Sequence, residues 1–194
     1  MEFRRLLEMP AIYDLKTAAA SMGRNSVGRY LERAARVPAG GLVLDVACGT
    51  GRHARVFGGC YCGVDENVRY ICYAARRRCG MFGAMNALNM GFPDSCFSLV
   101  FSVGLLHHLP DEQAVAAVRE MCRVAGHDGK VLIIEGVLAR GMNLLGAGLF
   151  RLDRGGYVRS VEALGNLLAP EGFHMETENL PGSFPYRRAV FSNR

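Results

Sequence analysis

Val43-Leu44-Asp45-Val46-Ala47-Cys48-Gly49-Thr50-Gly51-Arg52-His53-Ala54 is the stretch on which the reading of this chain turns. An apolar strand carrying one Asp runs into a Gly-x-Gly turn, and the turn runs into a helix start. That order sets backbone N–H groups and a helix N-terminus beside a nucleotide-type ligand. Cys60-Tyr-Cys-Gly-Val forms the next strand pattern, closed by Asp65 twenty positions after Asp45. A carboxylate at the tip of a second strand can accept hydrogen bonds from both hydroxyls of a ribose.

Working outward, strand and helix patterns alternate. Strand 42–46, helix 51–57, strand 60–65, helix 67–78 and strand 82–86 are followed by strand 97–102, helix 111–124 and strand 130–135. Such alternation predicts a parallel sheet covered on both faces. Two last strand patterns, 173–179 and 186–192, flank Pro181-Gly182-Ser183 and predict an antiparallel hairpin. Residues 2–9 and 11–37 read as helices that stop at Pro38-Ala-Gly-Gly. With 194 residues, half of them hydrophobic, the chain reads as a single domain, 1–194, in which 1–37 form a helical cap and 136–156 a lid insertion. A ligand belongs at the carboxyl ends of the strands, where the winding reverses between the first and fourth.

Two cofactor classes use this turn. Gly49, Gly51 and Ala54 also satisfy the dinucleotide pattern Gly-x-Gly-x-x-Gly/Ala. Asp45, just before the turn, would face a pyrophosphate there, whereas it suits the ammonium and sulfonium end of S-adenosylmethionine. The string Asp-Val-Ala-Cys-Gly-Thr-Gly resembles motif I of the class I S-adenosylmethionine-dependent methyltransferases. The likeness continues through Asn86-Ala-Leu-Asn-Met-Gly-Phe-Pro to Leu106-His107-His108-Leu109, and again through Arg159-Ser-Val-Glu to Gly172-Phe173. It is closest to the quinone-biosynthesis subgroup. The resemblance implies a Rossmann-like three-layer α/β sandwich with a mostly parallel seven-stranded sheet, order 3-2-1-4-5-7-6, and helices on both faces. It implies that Asp45 and the Gly49–Gly51 turn hold the methionine end, Asp65 the ribose, and Asn86 with the backbone of Ala87 the adenine. Ala47, Glu66 and Ser102 complete the expected cofactor set, and S-adenosylhomocysteine would be the product. Asn86, Ser98 and His127-Asp128-Gly129 depart from the residues usual in the family.

Methyl transfer from a sulfonium needs alignment, exclusion of water and, for a protonated acceptor, a base. His107 and His108 follow strand four and are the candidate bases, because neutral imidazole accepts a proton near pH 7. Glu135, closing strand five, could orient an acceptor hydroxyl. Tyr157 and Arg159 are candidate acceptor-side residues, Arg159 as partner to an anionic group. The apolar residues of 136–156 could cradle an apolar or lipid-like acceptor, pack as core, or bury themselves in a homodimer.

Composition narrows the alternatives. The net charge is +5, and Lys16 and Lys130 are the sole lysines, so the basic residues are almost all Arg. Arg76-Arg77-Arg78 reads as a solvated helix end meeting the helix dipole rather than a nucleic-acid surface. Seven Cys show no Cys-x-x-Cys pair and read as buried thiols of a reducing cytoplasm, with no metal site. Met1-Glu-Phe-Arg-Arg offers no signal peptide and Val131–Phe150 no membrane span, so a cytoplasmic location is expected. The expectation is a methyltransferase acting on a small-molecule acceptor. The alternatives are an RNA or protein methyltransferase, a non-catalytic S-adenosylmethionine-binding protein and an NAD enzyme.

Overall fold

The computed structural model describes residues 10, 14, 26–34, 37–137, 155–177, 180 and 187–194. β1 (Val43–Val46) is buried at every position. It pairs in parallel with β2 (Tyr61–Asp65), Val43 opposite Tyr61, and with β4 (Leu99–Val103), Val43 opposite Leu99. β3 (Met81–Ala84) adds in parallel to β2, and β5 (Lys130–Val137) to β4. β7 (Arg187–Ser192) runs antiparallel between β5 and β6 (His174–Thr177). The seven strands lie in the order β3-β2-β1-β4-β5-β7-β6, the order the resemblance implied.

Period-two alternation splits the strands between two cores. Val43, Tyr61, Leu99, Phe101, Leu132, Ile134 and Val190 face Val27 and Leu31 of α1 (Ser26–Ala34) and Ala54 of α2 (Ala54–Phe57). Leu44, Val46, Val64, Val100, Val131, Ile133 and Phe191 face the other way. They meet Ala117, Val118 and Met121 of α4 (Asp111–Ala125) and Leu164 and Leu168 of α5 (Val161–Leu168). Each such side chain contributes about 1.5–3 kcal/mol on full burial, so apolar residues on both faces of a strand demand helices on both faces. α3 (Val68–Arg77) starts where the Asn67 side chain accepts from the amides of Arg69 and Tyr70, and α5 where Ser160 accepts from Ala163. Asp111 and Glu112 place negative charge at the first turn of α4.

Several boundaries differ from the sequence reading. The helix expected at 51–57 begins only at Ala54, because Gly49 (φ 55°) and Gly51 (φ 68°) keep the preceding residues in a turn. β3 ends at Ala84, since Asn86 is drawn into a turn with Asn89. The greater part of the helices read at 2–9 and 11–37, the 181–183 connection and residues 138–154 of the insertion lie outside the described residues. Cys48 and Cys62 are buried as expected, but Cys72 and Cys79 are exposed on and just beyond α3. Among the described residues no helix is long and apolar enough to cross a membrane.

The turn after β1 concentrates backbone strain. Ala47 takes φ 61°, a left-handed conformation that disfavours a Cβ. Gly51 has no such penalty, but a Cβ there would sit 2.6 Å from Phe82 Cε1 and 3.2 Å from Ala74 Cβ. Urea unfolding should therefore give opposite signs for two neighbouring changes. Ala47→Gly is expected to stabilise by up to about 1 kcal/mol, strain relief exceeding the entropy of the new glycine. Gly51→Ala is expected to destabilise by about 2 kcal/mol or more, from strain and overpacking together.

Candidate functional site

Asp45 is 1% exposed, in the middle of a sheet. Its Oδ2 accepts from the Tyr61 hydroxyl at 2.6 Å, and its Oδ1 has no hydrogen-bond partner. Gly63, which pairs with Asp45, makes the contact feasible: a Cβ there would press to 3.0 Å from Tyr61 Cε1 and 2.8 Å from Cys48 Sγ. Burial pushes the Asp45 carboxyl up to about 8, against the lowering effect of the Tyr61 bond, and the nearby Asp65 adds to the rise. Burial and Asp45 likewise hold the Tyr61 phenol protonated. A buried carboxyl with one idle oxygen can take one further hydrogen-bond partner.

Asp65 closes the other side of the turn. Its Oδ2 accepts from the Gly49 amide at 2.8 Å and its Oδ1 from the Asn67 amide at 2.8 Å. Each oxygen keeps a second lone pair for a ligand hydroxyl. Burial raises this carboxyl above its ordinary range while the two amides pull it back. Glu66 beside it is exposed. Ser102, at the carboxyl end of β4 and opposite Val46, is fully buried with its Oγ unpartnered. Asn86 is exposed, and its Oδ1 accepts from Leu88 N at 2.8 Å, a bond that shapes the turn after β3. Ala87 follows in that turn, partly buried against the core.

A clasp unforeseen in the sequence lies over the Gly-x-Gly turn. The Asp14 carboxylate accepts from Thr50 Oγ1, pairs with Arg78 at 2.7 Å and is reached by the Tyr73 hydroxyl at 3.4 Å. Arg78 Nε also donates to Thr50 O at 3.2 Å. Arg78 is therefore not the solvated helix end expected for it: its planar fork ties the Gly-x-Gly turn to Asp14. Arg77, in contrast, lies over the Tyr73 ring at 5.0 Å.

The Leu106–His108 turn is braced from several sides. Glu135, 2% exposed, accepts from Leu106 N at 2.6 Å and bonds His107 Nδ1 at 2.9 Å. Arg159 donates to the carbonyls of Leu106 (2.7 Å), Leu109 (2.8 Å) and Tyr157 (3.1 Å) and pairs with Asp111 at 2.6 Å. The Tyr157 amide donates to His107 O at 3.0 Å, while its side chain is exposed. His107 is buried, His108 is exposed, and their rings lie 4.1 Å apart. Arg159, expected to meet an anionic ligand, is thus committed to the turn. The sequence carried no signal for this, because the carbonyls of Leu106 and Leu109 that it meets lie about fifty residues away. Beside the Gly-x-Gly turn, burial and the charges of Arg52, Arg188 and Arg55 push His53 down to about 3. Its ring meets Phe101 edge-on at 6.0 Å. Among the described residues no cluster of metal-ligating side chains occurs.

Asp45, Gly49, Gly51, Asp65, Ser102 and the His107 turn all lie at the carboxyl edge of the parallel strands. Residues 43–129 match the methyltransferase domain family. The probable tRNA methyltransferase 9B of Mus musculus is 35% identical over 101 residues, covering 48% of this chain and 21% of that protein. The sterol 24-C-methyltransferase of Eremothecium gossypii is 31% identical over 137 residues, 65% of this chain and 36% of that protein. This chain thus spans about a fifth of the length of the mouse relative. The magnesium protoporphyrin IX methyltransferase of Synechocystis PCC 6803, solved with bound SAH, superposes with a TM-score of 0.65 at 19% identity, over 89% of this chain and 81% of that one.

The buried Asp45 links folding to pH. Folded, it keeps its proton up to about 8, whereas the unfolded chain releases it near 3.8. The folded state then binds more protons between those values, so this group makes stability fall as pH rises through that window. Thermal unfolding of Asp45→Asn should show a higher melting temperature than the parent at pH 8, with the gap closing at pH 5. A gap independent of pH would mean that Asp45 is already ionised in the folded protein at pH 5.

Proposed function

We propose, for a chain that carries a methyltransferase domain in the class I S-adenosylmethionine-dependent fold, that it binds S-adenosylmethionine at the carboxyl edge of β1 and methylates a small-molecule acceptor. The observation that carries this reading is the idle, buried Oδ1 of Asp45. An ammonium group donated to it would return a partner to that oxygen and draw the carboxyl into its charged form. A pyrophosphate brings only acceptors and would leave that oxygen without a donor, which argues against a dinucleotide.

The residues present fit the cofactor. Asp45 and the turn from Ala47 to Gly51 would hold its amino-acid end, the unused lone pairs of Asp65 its ribose, with Glu66 alongside. Asn86 and the backbone of Ala87 would flank the adenine, and the Ser102 hydroxyl would complete the set. When bound, the cofactor supplies a methyl group already activated on a sulfonium. What is left to the chain is to align the acceptor, exclude water and manage a proton. Tyr157 stays a candidate for acceptor contact through its exposed ring.

A second acceptor class has its own support. The probable tRNA methyltransferase 9B relative favours an RNA acceptor, as its name indicates.

Calorimetric titration with S-adenosylmethionine, S-adenosylhomocysteine and NAD tests the cofactor. Binding of the first two and not the third is expected, with Asp65→Ala weakening it by about tenfold or more, as loss of a charge-assisted hydrogen bond does. NAD binding in their place would overturn the reading. Incubation with methyl-labelled cofactor, followed by separation of RNA from small metabolites, then distinguishes the acceptors. Label in the small-molecule fraction is the expected result.

A further inference from the structure

Thr50 stands between Gly49 (φ 55°) and Gly51 (φ 68°), two residues whose backbone has little intrinsic preference for one conformation. Contacts from elsewhere in the chain must therefore fix it. Thr50 is fully buried, and both of its oxygens are met from a distance in sequence. Its hydroxyl donates to Oδ1 of Asp14, and its carbonyl accepts from Nε of Arg78 at 3.2 Å. Nη2 of the same guanidinium pairs with Asp14 Oδ2 at 2.7 Å, which closes a cycle of three hydrogen bonds. A guanidinium offers Nε and Nη2 side by side in one plane, as a lysine ammonium does not. On the sheet side, the Cys48 amide donates to Val64 O at 2.9 Å and the Gly49 amide to Asp65. The hold of the sheet reaches Gly49, and that of the cycle begins at Thr50. With side chains 33% and 20% exposed, the Arg78–Asp14 pair lies within reach of salt.

We propose that Asp14 and Arg78 are positioning residues for cofactor binding, which set the Gly-x-Gly turn in its ligand-receiving shape through Thr50. The inference rests on the reading above that this turn receives S-adenosylmethionine. Fixing Thr50 beforehand spares the cofactor the entropy of ordering the turn, a cost that would otherwise lower its affinity. Without the cycle, only the fraction of molecules with a competent turn binds, and the apparent affinity falls by that fraction. Gly49 feels the same constraint, and its amide meets the Asp65 carboxylate assigned to the ribose. Because the fixing device is a part-exposed ion pair, the shape of the turn becomes sensitive to ionic strength. Both residues act at one remove, through a threonine that neither could replace.

Backbone nitrogen-15 relaxation of the ligand-free protein is the first readout. In the parent the Gly51 amide, bound to Cys48 O at 3.0 Å, should be as rigid as the Cys48 amide, bound to Val64 O at 2.9 Å. In Asp14→Ala and in Arg78→Ala the Thr50 and Gly51 order parameters should drop from about 0.85 to below about 0.6, with Cys48 unchanged. Calorimetric titration should show S-adenosylmethionine bound about tenfold more weakly by each variant, as when a charge-assisted hydrogen bond is lost. The double variant should bind no more weakly than either single one, because opening the cycle at one point already releases Thr50. Arg77→Ala removes the same charge outside the cycle and should bind as the parent does. Raising salt from about 0.01 M to about 1 M should loosen Gly51 in the parent itself, as the screening length falls from about 30 Å to about 3 Å. Rigid Thr50 and Gly51 amides in both variants overturn the proposal. So does parent-like affinity in a variant whose turn has loosened, or an equal loss in Arg77→Ala. Should the variants not fold, a Gly51 order parameter indifferent to salt in the parent overturns it. A parent that binds no S-adenosylmethionine defeats the cofactor reading instead, and the relaxation data still decide whether the cycle fixes the turn.

Discussion

Two hydrogen bonds between β2 and the end of β1 with its turn govern the site: the Tyr61 hydroxyl donates to Asp45, and the Gly49 amide donates to Asp65. Both span sixteen residues, and both follow from the parallel register that sets Val43 opposite Tyr61. They hold the turn between them in a conformation that Ala47, with a positive φ, would not adopt unaided. Everything else at the carboxyl edge is arranged around that fixed turn. Phe82 and Ala74 close on Gly51, Asp14 and Arg78 clamp Thr50, and β4 brings up Ser102 and the histidine turn.

The surroundings of Asp45 and of His107 are stabilised by different means. Around Asp45 the sheet tolerates an unsatisfied polar atom, which in an ordinary core would be costly. Around His107 the backbone of the turn is met by Glu135, Arg159 and the Tyr157 amide. The first arrangement leaves one carboxylate oxygen for a further donor, whereas the second fixes a backbone turn from three sides.

What was legible in the sequence was whatever depends on local pattern. Short apolar runs alternating with helical patterns marked the strands, and the Asp and Gly residues of 45–51 marked the turn. The sheet order came from resemblance and agrees with the observed pairing. Tyr61 could not be seen as the partner of Asp45, since that contact requires the strand register and the space left by Gly63. Arg78 and Arg159 looked like surface or ligand-facing cations because carbonyl acceptors leave no mark in a sequence. Asn86 was expected to face a ligand, yet its side-chain oxygen also serves a local turn, the ordinary competition between a short polar side chain and its own backbone. The helix after the turn was drawn too long because glycine at left-handed φ delays the first helical hydrogen bonds.

The Asp14 clasp is separable from the turn it covers. Tyr61 and Asp65 hold the turn from within the sheet, whereas Asp14 holds it through side chains at the rim, Arg78 among them. Loss of those rim contacts would leave the β1–β2 pairing in place, because no strand residue takes part in them. The turn is therefore held twice over, once by the register of the strands and once by side chains laid across it.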